Sequence, residues 1–366
     1  MFCLKKKILK QNKTKLKNNT KQNKTKILYY TFKMLSKTIF FIFFLTIVID
    51  AEENSTIFEK LNFCTRCKCE KSSENTLKVD CHSRGLSTFP LSNDFPQSVT
   101  HLDLSNNNIL ELKDITGFND LIWLSVSANK LKDLSPSAFN NLNSLHYLDL
   151  SYNQIHTFHA KQFDNLDNLQ TLNFSYCRIQ LFPDDIFINL KELVYLEMSN
   201  NPLRVLNENL FSPLNHLIRL SMSNNDIFSL HYKTFSSQIH LHQLDLSGNR
   251  FEQVPTNALR VLNNLQELDL SNNQIGTLDK NSFYHLSSLR KLTLRNLKRL
   301  FEINQNTFST LYLLQEIFIE DNPQLTYINP AAFYGIFNHS IINIKIVSFK
   351  RNRLAYLSGG TLPFCK

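Results

Sequence analysis

Leucines recur along this chain every 24 residues, in the pattern L-x-x-L-x-L-x-x-N-x-L, from about Val99 to Gly360. Two units show it clearly: "LHYLDLSYNQI" begins at Leu145, and "LQELDLSNNQI" begins at Leu265. The units that begin with leucine at constant spacing start at Leu121, Leu145, Leu169, Leu193, Leu217, Leu241 and Leu265. A fixed period of this length indicates a repeat architecture, in which each unit buries its apolar face only by stacking on its neighbours.

Each unit predicts one short strand followed by a turn. The two leucines of L-x-L point to the same side because side chains alternate faces along a strand. An asparagine follows nearly every strand, at Asn107, Asn129, Asn153, Asn201, Asn225, Asn249, Asn273, Asn322 and Asn352. We expect its amide to bond backbone groups in the turn, since each would cost ~1–3 kcal/mol if buried unpaired. Cys177 takes this position once and is interpreted as a buried structural cysteine.

Phenylalanine forms a second repeating column. Its members are Phe118, Phe139, Phe163, Phe187, Phe211, Phe235, Phe283, Phe308 and Phe333, with Leu259 substituting once. An apolar ring at the same place in each unit predicts a stacked spine of buried rings rather than an aromatic box for a cofactor.

Counting from Val99 gives about eleven repeats, although the spacing from Leu289 to Leu314 lengthens to 25 residues. The pattern resembles the extracellular, 24-residue class of leucine-rich repeats. This resemblance implies an α/β solenoid, a leucine-rich-repeat horseshoe with a parallel β-sheet on its concave face.

The N-terminal part of the chain differs from the repeats. Residues 1–33 hold eleven lysines and no acidic residue in a low-complexity segment that predicts no packed core. Residues 34–51 have a basic start, eleven mostly apolar residues and Ala51 at the cleavage position, as in a secretory signal peptide. We expect translation to begin at Met34, so that residues 1–33 are not translated. A cytosolic tail on an uncleaved anchor is the alternative.

The formal net charge of +9 depends on this N-terminal part. Residues 1–37 carry twelve of the 40 Lys and Arg residues and no acidic residue. Without them and Asp50, 28 basic and 30 acidic residues remain, a net charge of −2. The charge therefore gives no indication of nucleic-acid binding by the folded part.

Four cysteines, Cys64, Cys67, Cys69 and Cys81, precede the repeats, and residues 52–97 resemble the cysteine-rich N-terminal cap of secreted leucine-rich-repeat proteins. Such a cap covers the core of the first repeat. Four cysteines allow three pairings. The resemblance implies the disulfide bonds Cys64–Cys69 and Cys67–Cys81, and a zinc site formed by the four thiolates is the alternative.

The solenoid is expected to fill residues 98–366 without a C-terminal cap. Cys365 has no evident partner beside the last residue, Lys366. We interpret the sequence as cut short, with a second cap and a membrane anchor among the parts that could follow.

Motifs of enzymatic chemistry are absent from the sequence. It has no Gly-rich phosphate loop, no H-E-x-x-H and no G-x-S-x-G, and only seven of its 366 residues are glycine. His156 and His159 are spaced like metal ligands, but they lie where a repeat leaves its strand and should face solvent. We therefore expect no enzyme, no catalytic residue, no cofactor and no metal site.

The strand residues that alternate with leucine are expected to face the concave surface, where solenoids of this kind commonly bind partners. In the N-terminal half this surface is rich in Tyr and Trp, which are enriched at binding hot spots. The candidate partner-binding residues are His101, Trp123, Tyr147, Tyr152, Tyr176 and Tyr195. The alternative is that the repeats merely tolerate surface aromatics. The aspartate inside L-D-L is typical of the family and carries little information about function.

Three N-x-S/T sequons follow the predicted signal peptide, at Asn54, Asn173 and Asn338. Asn173 lies at the centre of the fourth predicted strand, between Tyr147 and Tyr195. A glycan there would crowd the aromatic surface, so the two predictions compete.

Together these features predict an extracellular domain, secreted or at the cell surface. The resemblance implies a protein-binding ectodomain of a receptor, adhesion or guidance protein, with a protein ligand or receptor on the concave face. Membrane association would come only through an anchor outside this sequence. The alternative is a secreted structural protein of matrix or cuticle that binds matrix polymers.

Overall fold

The computed structural model describes residues 63–72, 75–334 and 344–355, which belong to one unit of the chain, 61–366. A 13-stranded sheet dominates this unit. Its first two strands pair antiparallel, and all later neighbours pair in parallel. Two small sheets, of three and two short strands, complete the strand pairing of the described residues.

The strands are short, and helix is scarce among the described residues. The strands are β1 (Lys68–Lys71), β2 (Leu77–Asp80), β3 (Val99–Asp103), β4 (Glu111–Leu112), β5 (Trp123–Ser125), β6 (Asp133–Leu134), β7 (Tyr147–Asp149), β8 (Thr171–Asn173), β9 (Tyr195–Glu197), β10 (Arg219–Ser221), β11 (Gln243–Asp245), β12 (Glu267–Asp269), β13 (Thr277–Leu278), β14 (Lys291–Arg295), β15 (Glu302–Ile303), β16 (Glu316–Glu320), β17 (Tyr327–Ile328) and β18 (Ile346–Ser348). The helical segments are a turn at 63–66, the 3-10 helix Ser92–Asp94 and the α-helix Thr256–Leu259.

Eleven parallel strands follow the cap, which confirms the predicted leucine-rich-repeat solenoid of about eleven repeats. Equivalent residues of successive repeats pair in register, as Trp123 does with Tyr147 and Leu124 with Leu148. Leu124 and Leu148 are fully buried. Since burying one leucine contributes ~1.5–3 kcal/mol, the leucine columns make the continuous core that a single repeat could not form.

The repeating asparagine links successive turns, as its position predicted. The Asn129 Oδ1 atom accepts a hydrogen bond from the Ile109 N–H at 2.9 Å. Its Nδ2 atom donates to the carbonyls of Leu104 and Val126, at 2.9 and 3.0 Å. In the fourth repeat, cysteine replaces this asparagine; the Cys177 thiol is buried and donates to the Leu150 carbonyl at 3.5 Å.

The residue just before the asparagine position has a positive φ in all eleven repeats. These residues are Asn106, Ala128, Tyr152, Tyr176, Asn200, Asn224, Gly248, Asn272, Asn296, Asp321 and Arg351, with φ from 51° to 67°. Glycine tolerates this left-handed region freely and asparagine is enriched there, whereas a bulky side chain is an outlier. The sharp turn after each strand thus explains the frequent Asn-Asn pairs of the sequence.

The phenylalanine column forms the predicted stack inside the solenoid. Phe211 is fully buried, with ring centroids 6.5 Å from Phe187 and 6.1 Å from Phe235, and both pairs are nearly parallel. Farther along, Phe308 lies 5.8 Å from Phe283 and 4.7 Å from Phe333.

The cap continues this core at the N-terminal end. The structure contains the disulfide bonds Cys64–Cys69 and Cys67–Cys81 that the resemblance implied. Cys69 lies in β1, which pairs antiparallel with β2, and Cys81 directly follows β2, which pairs in parallel with β3 of the first repeat. The ring of Phe95 packs 4.9 Å from Phe63 and 6.0 Å from Phe118, which joins the cap to the phenylalanine column.

Several predictions concern residues outside the described ranges. These are the low-complexity segment 1–33, the signal peptide 34–51, the first residues of the 52–97 cap, the sequons at Asn54 and Asn338, and Cys365. Within the described ranges, no helix is long and apolar enough to cross a membrane.

Candidate partner-binding face

The strand side chains that alternate with the buried leucines form two columns on one surface of the large sheet, which we call the sheet face. Across repeats one to five, the first column reads His101, Trp123, Tyr147, Thr171 and Tyr195, and the second reads Asp103, Ser125, Asp149, Asn173 and Glu197. Neighbours in a column are ~4.8 Å apart along the sheet. The structure therefore brings His101, Trp123 and Tyr147 together on successive strands and separates Tyr195 from them by Thr171.

Trp123 and Tyr147 form one stacked ring pair. Their centroids are 5.0 Å apart and the planes differ by 10°. Burial, with smaller contributions from the charges of Asp149 and Asp103, raises the pKa of the Tyr147 hydroxyl to about 12. Burial and then the charge of Lys78 lower the pKa of His101. At neutral pH, both His101 and Tyr147 are therefore uncharged.

Tyr152 and Tyr176 form a second stacked pair at the end of β7 and β8. Their ring centroids are 4.2 Å apart, the planes differ by 9°, and the residues remain 55% and 46% exposed. Both have φ of 55°, in the left-handed region. A residue other than glycine costs ~1–2 kcal/mol there, so each tyrosine is held in a strained backbone. Every repeat shares this turn conformation, so the pair is distinguished by the presence of tyrosine at the position and not by the backbone itself.

The second column contains half-buried carboxylates that the sequence pattern alone presents as family background. Asp149 accepts a hydrogen bond from the Ser151 N–H at 2.9 Å. Burial is the largest cause that raises the pKa of Asp149, and the charge of Asp103 adds to it. Burial also raises the pKa of Glu197, although Arg219 lies 3.2 Å away and acts in the opposite direction. Asp103, Asp149 and Glu197 each follow a residue of the first column by two positions in the sequence. This spacing is the sequence signal that places them on the same face of the sheet.

Asn173 lies in this carboxylate column on β8, with Asp149 and Glu197 as its neighbours on the adjacent strands. It is half-buried, and its Oδ1 atom accepts a hydrogen bond from the Ser175 N–H at 3.0 Å. The structure thus places the sequon on the same face as Tyr147 and Tyr195.

In the C-terminal repeats, two arginines are paired with carboxylates of an adjacent repeat. The Arg295 Nε atom is 2.8 Å from the buried Glu320, and its guanidinium lies 4.6 Å over the ring of Phe318. A hydrogen bond from Ser348 is the main cause that lowers the pKa of Glu320. Arg351 donates to Asp321 with two guanidinium nitrogens.

Other sequence candidates do not form a reactive site. His156 and His159 are both exposed. In the described part of the chain, no group of three or more His, Cys, Asp or Glu residues is arranged to hold a metal ion. Burial raises the pKa of the Cys177 thiol to about 11, so this thiol is protonated and unreactive at neutral pH.

Comparison with known proteins agrees with this architecture. A family model described as "Leucine rich repeat" matches residues 119–179, 168–227 and 239–298, and a second model of the same description matches 95–110. With the cap disulfides and the parallel solenoid, these matches show that the chain belongs to the leucine-rich-repeat proteins with a cysteine-rich N-terminal cap.

Among solved structures, the fold is similar to a chain of the glycosylated Toll–Spatzle complex of Drosophila, with a TM-score of 0.61 and 22% sequence identity. The match covers 68% of this chain but only 33% of that one. At this identity the similarity concerns the fold. No curated protein matches the chain.

Proposed function

We propose that this chain is an extracellular protein-recognition domain whose N-terminal sheet face binds a protein partner, in the ectodomain of a receptor, adhesion or guidance protein. The observation that carries the proposal is the presence of two stacked aromatic pairs on neighbouring repeats, one of them exposed on a strained backbone. The cap disulfides support an oxidising, extracellular compartment. The similar solved structure is a complex of Toll with Spatzle, which supports a protein as the partner here.

The proposal includes the order of segments expected from the sequence: a signal peptide at 34–51, a cap at 52–97 and a solenoid at 98–366, with residues 1–33 untranslated. N-terminal sequencing of material secreted by eukaryotic cells should begin near Glu52. Recovery of the lysine-rich segment on secreted protein would contradict this order.

Binding is tested by screening the secreted chain as a bivalent fusion against an array of purified secreted proteins, cell-surface proteins and matrix polymers. We expect Trp123→Ala and Tyr152→Ala to weaken a protein hit by about 2 kcal/mol or more, as truncation of an aromatic hot spot does. Tyr284→Ala is the matched control, because Tyr284 is similarly exposed but lies in a connecting turn. Hits confined to matrix polymers, or protein hits that respond only to the control, would overturn the proposal.

A further inference from the structure

Carboxylates on the sheet face of repeats one to five outnumber the cations near them. Asp103, Asp149 and Glu197 stand on β3, β7 and β9, and none of the strand residues of β3, β5, β7, β8 and β9 is Lys or Arg. The cations on the flanking strands are Lys78 on β2, which pairs with His101, and Arg219 on β10, which lies beside Glu197. Asp103 and Asp149 therefore have no arginine from a neighbouring strand.

The Trp123–Tyr147 pair lies beside these carboxylates. Tyr147 and Asp149 are two residues apart on β7, and therefore on the same face of the sheet. Burial and then the charges of Asp149 and Asp103 raise the pKa of the Tyr147 hydroxyl, in agreement with this placement. Ring faces attract cations, and carboxylates accept charge-assisted hydrogen bonds. Both features favour a positively charged ligand over a neutral or anionic one.

The ninth and tenth repeats show how such a ligand could be held. There the guanidinium of Arg295 lies over the Phe318 ring while its Nε atom contacts Glu320. Rings and carboxylates also lie together in the N-terminal repeats, but the chain supplies no arginine to them. Arginine suits this arrangement better than lysine, because its planar group stacks on rings and bonds carboxylates with a rigid fork of donors.

We propose that the sheet face of repeats one to five binds an arginine-rich segment of the partner, with guanidinium groups stacked on the aromatic pairs and bonded to Asp103 and Asp149. This inference rests on the proposed function and specifies the partner chemistry for the same face.

The test uses the secreted full chain and three fluorescein-labelled dodecapeptides, in which glycine alternates with arginine, lysine or glutamate. Fluorescence anisotropy at physiological salt should show binding of the arginine peptide, weaker binding of the lysine peptide and none of the glutamate peptide. Asp149→Ser should reduce arginine-peptide affinity about tenfold, as expected for losing a hydrogen bond to a charged group. Serine is chosen because Ser125 occupies this column natively, whereas asparagine would create a sequon with Ser151.

Asp245→Ser is the matched control, because Asp245 holds the same column position and accepts the same type of bond, from the Ser247 N–H at 2.9 Å. Its affinity should stay within about twofold of wild type, since it removes the same charge from the other half of the face. Equal losses in both variants would indicate attraction by net charge and would overturn the inference, as would equal binding of the arginine and glutamate peptides. If either result occurs while a protein hit still depends on Trp123, the partner chemistry is wrong but the proposed function stands.

Discussion

Tyr152 and Tyr176 stack face to face, with centroids 4.2 Å apart, at the one turn position where every repeat requires left-handed backbone. Five other repeats place asparagine there and one places glycine. The stacked pair therefore occupies a position for which tyrosine is a poor choice on conformational grounds. A side chain retained against such strain is expected to act in binding rather than in folding.

Replacing both tyrosines by asparagine should separate these two roles. We expect the Tyr152→Asn/Tyr176→Asn variant to be at least as stable as wild type, because relief of ~1–2 kcal/mol of strain at each position offsets the lost ring contact. Partner affinity should fall at least tenfold. Differential scanning calorimetry and surface plasmon resonance measure the two effects. A melting temperature lowered by several degrees would show instead that the ring pair supports the fold.

The buried phenylalanine column provides a test of the repeat register. Phe211→Ala should reduce the free energy of unfolding by ~3–5 kcal/mol, because it removes a fully buried ring from the stack. Phe228→Ala is the control, since Phe228 is 55% exposed and its loss should change stability by only ~0.5 kcal/mol. Urea denaturation followed by circular dichroism measures both, and similar midpoints for the two variants would disprove the assigned register.

The asparagine ladder predicts a stabilising substitution. The Cys177 thiol makes only weak sulfur hydrogen bonds, to the Leu150 carbonyl and with the backbone of Asn153 and Ile155, whereas the Asn129 amide at the equivalent position accepts one backbone hydrogen bond and donates several. We expect Cys177→Asn to raise the free energy of unfolding by ~0.5–1.5 kcal/mol, about the net contribution of one hydrogen bond. Urea midpoints of this variant and of Cys177→Ala should move in opposite directions. A loss of stability in Cys177→Asn would mean that packing, not hydrogen bonding, determines this position.

Much of the fold follows from the sequence because its determinants are local and repeated. The spacing of Leu124 and Leu148 predicts the register of β5 and β7, since a shift of one residue would expose both leucines. The left-handed turn at Tyr152 was not evident, because tyrosine, unlike the asparagine of other repeats, does not indicate a positive φ. The pairing of Arg295 with Glu320 also escaped prediction, because the 25-residue ninth repeat obscures which side chains share a face.

The sequence predicted which residues form the candidate site, but not how their side chains are arranged. The repeat spacing predicted that Trp123 and Tyr147 are neighbours, but the stacking of their rings depends on side-chain rotamers that the sequence does not specify. The burial that raises the pKa of Asp149 was not evident, because an aspartate inside L-D-L is common and its burial depends on the packing of neighbouring strands.

The raised pKa of Asp149 leads to a prediction about pH. Its pKa in the folded protein lies above the unfolded value, mainly because of burial. Its contribution to stability is therefore fully present below the unfolded pKa and is lost as the pH rises through the folded pKa. The stability of Asp149→Ser relative to wild type should be higher at about pH 7 than at about pH 3.5, below the ordinary carboxyl pKa.

Thermal unfolding of both proteins at the two pH values measures this difference. Burial also raises the pKa of Asp269, so Asp269→Ser should change in the same direction. A relative stability of Asp149→Ser that does not depend on pH, or that is higher in acid, would show that the Asp149 carboxylate is not desolvated.

Glycan occupancy at Asn173 decides whether the aromatic face is open to a partner. Asn173 is half-buried on β8, between the strands that carry Tyr147 and Tyr195, so a glycan on its amide would stand beside both rings. We expect protein that binds its partner to be unoccupied at Asn173, and Asn173→Gln to leave its affinity within about twofold because no charge or ring is removed. Glycopeptide mass spectrometry of the bound and unbound fractions measures occupancy directly. Full occupancy in the bound fraction, together with tight binding that survives Trp123→Ala, would exclude the aromatic face and move the partner to another surface of the solenoid.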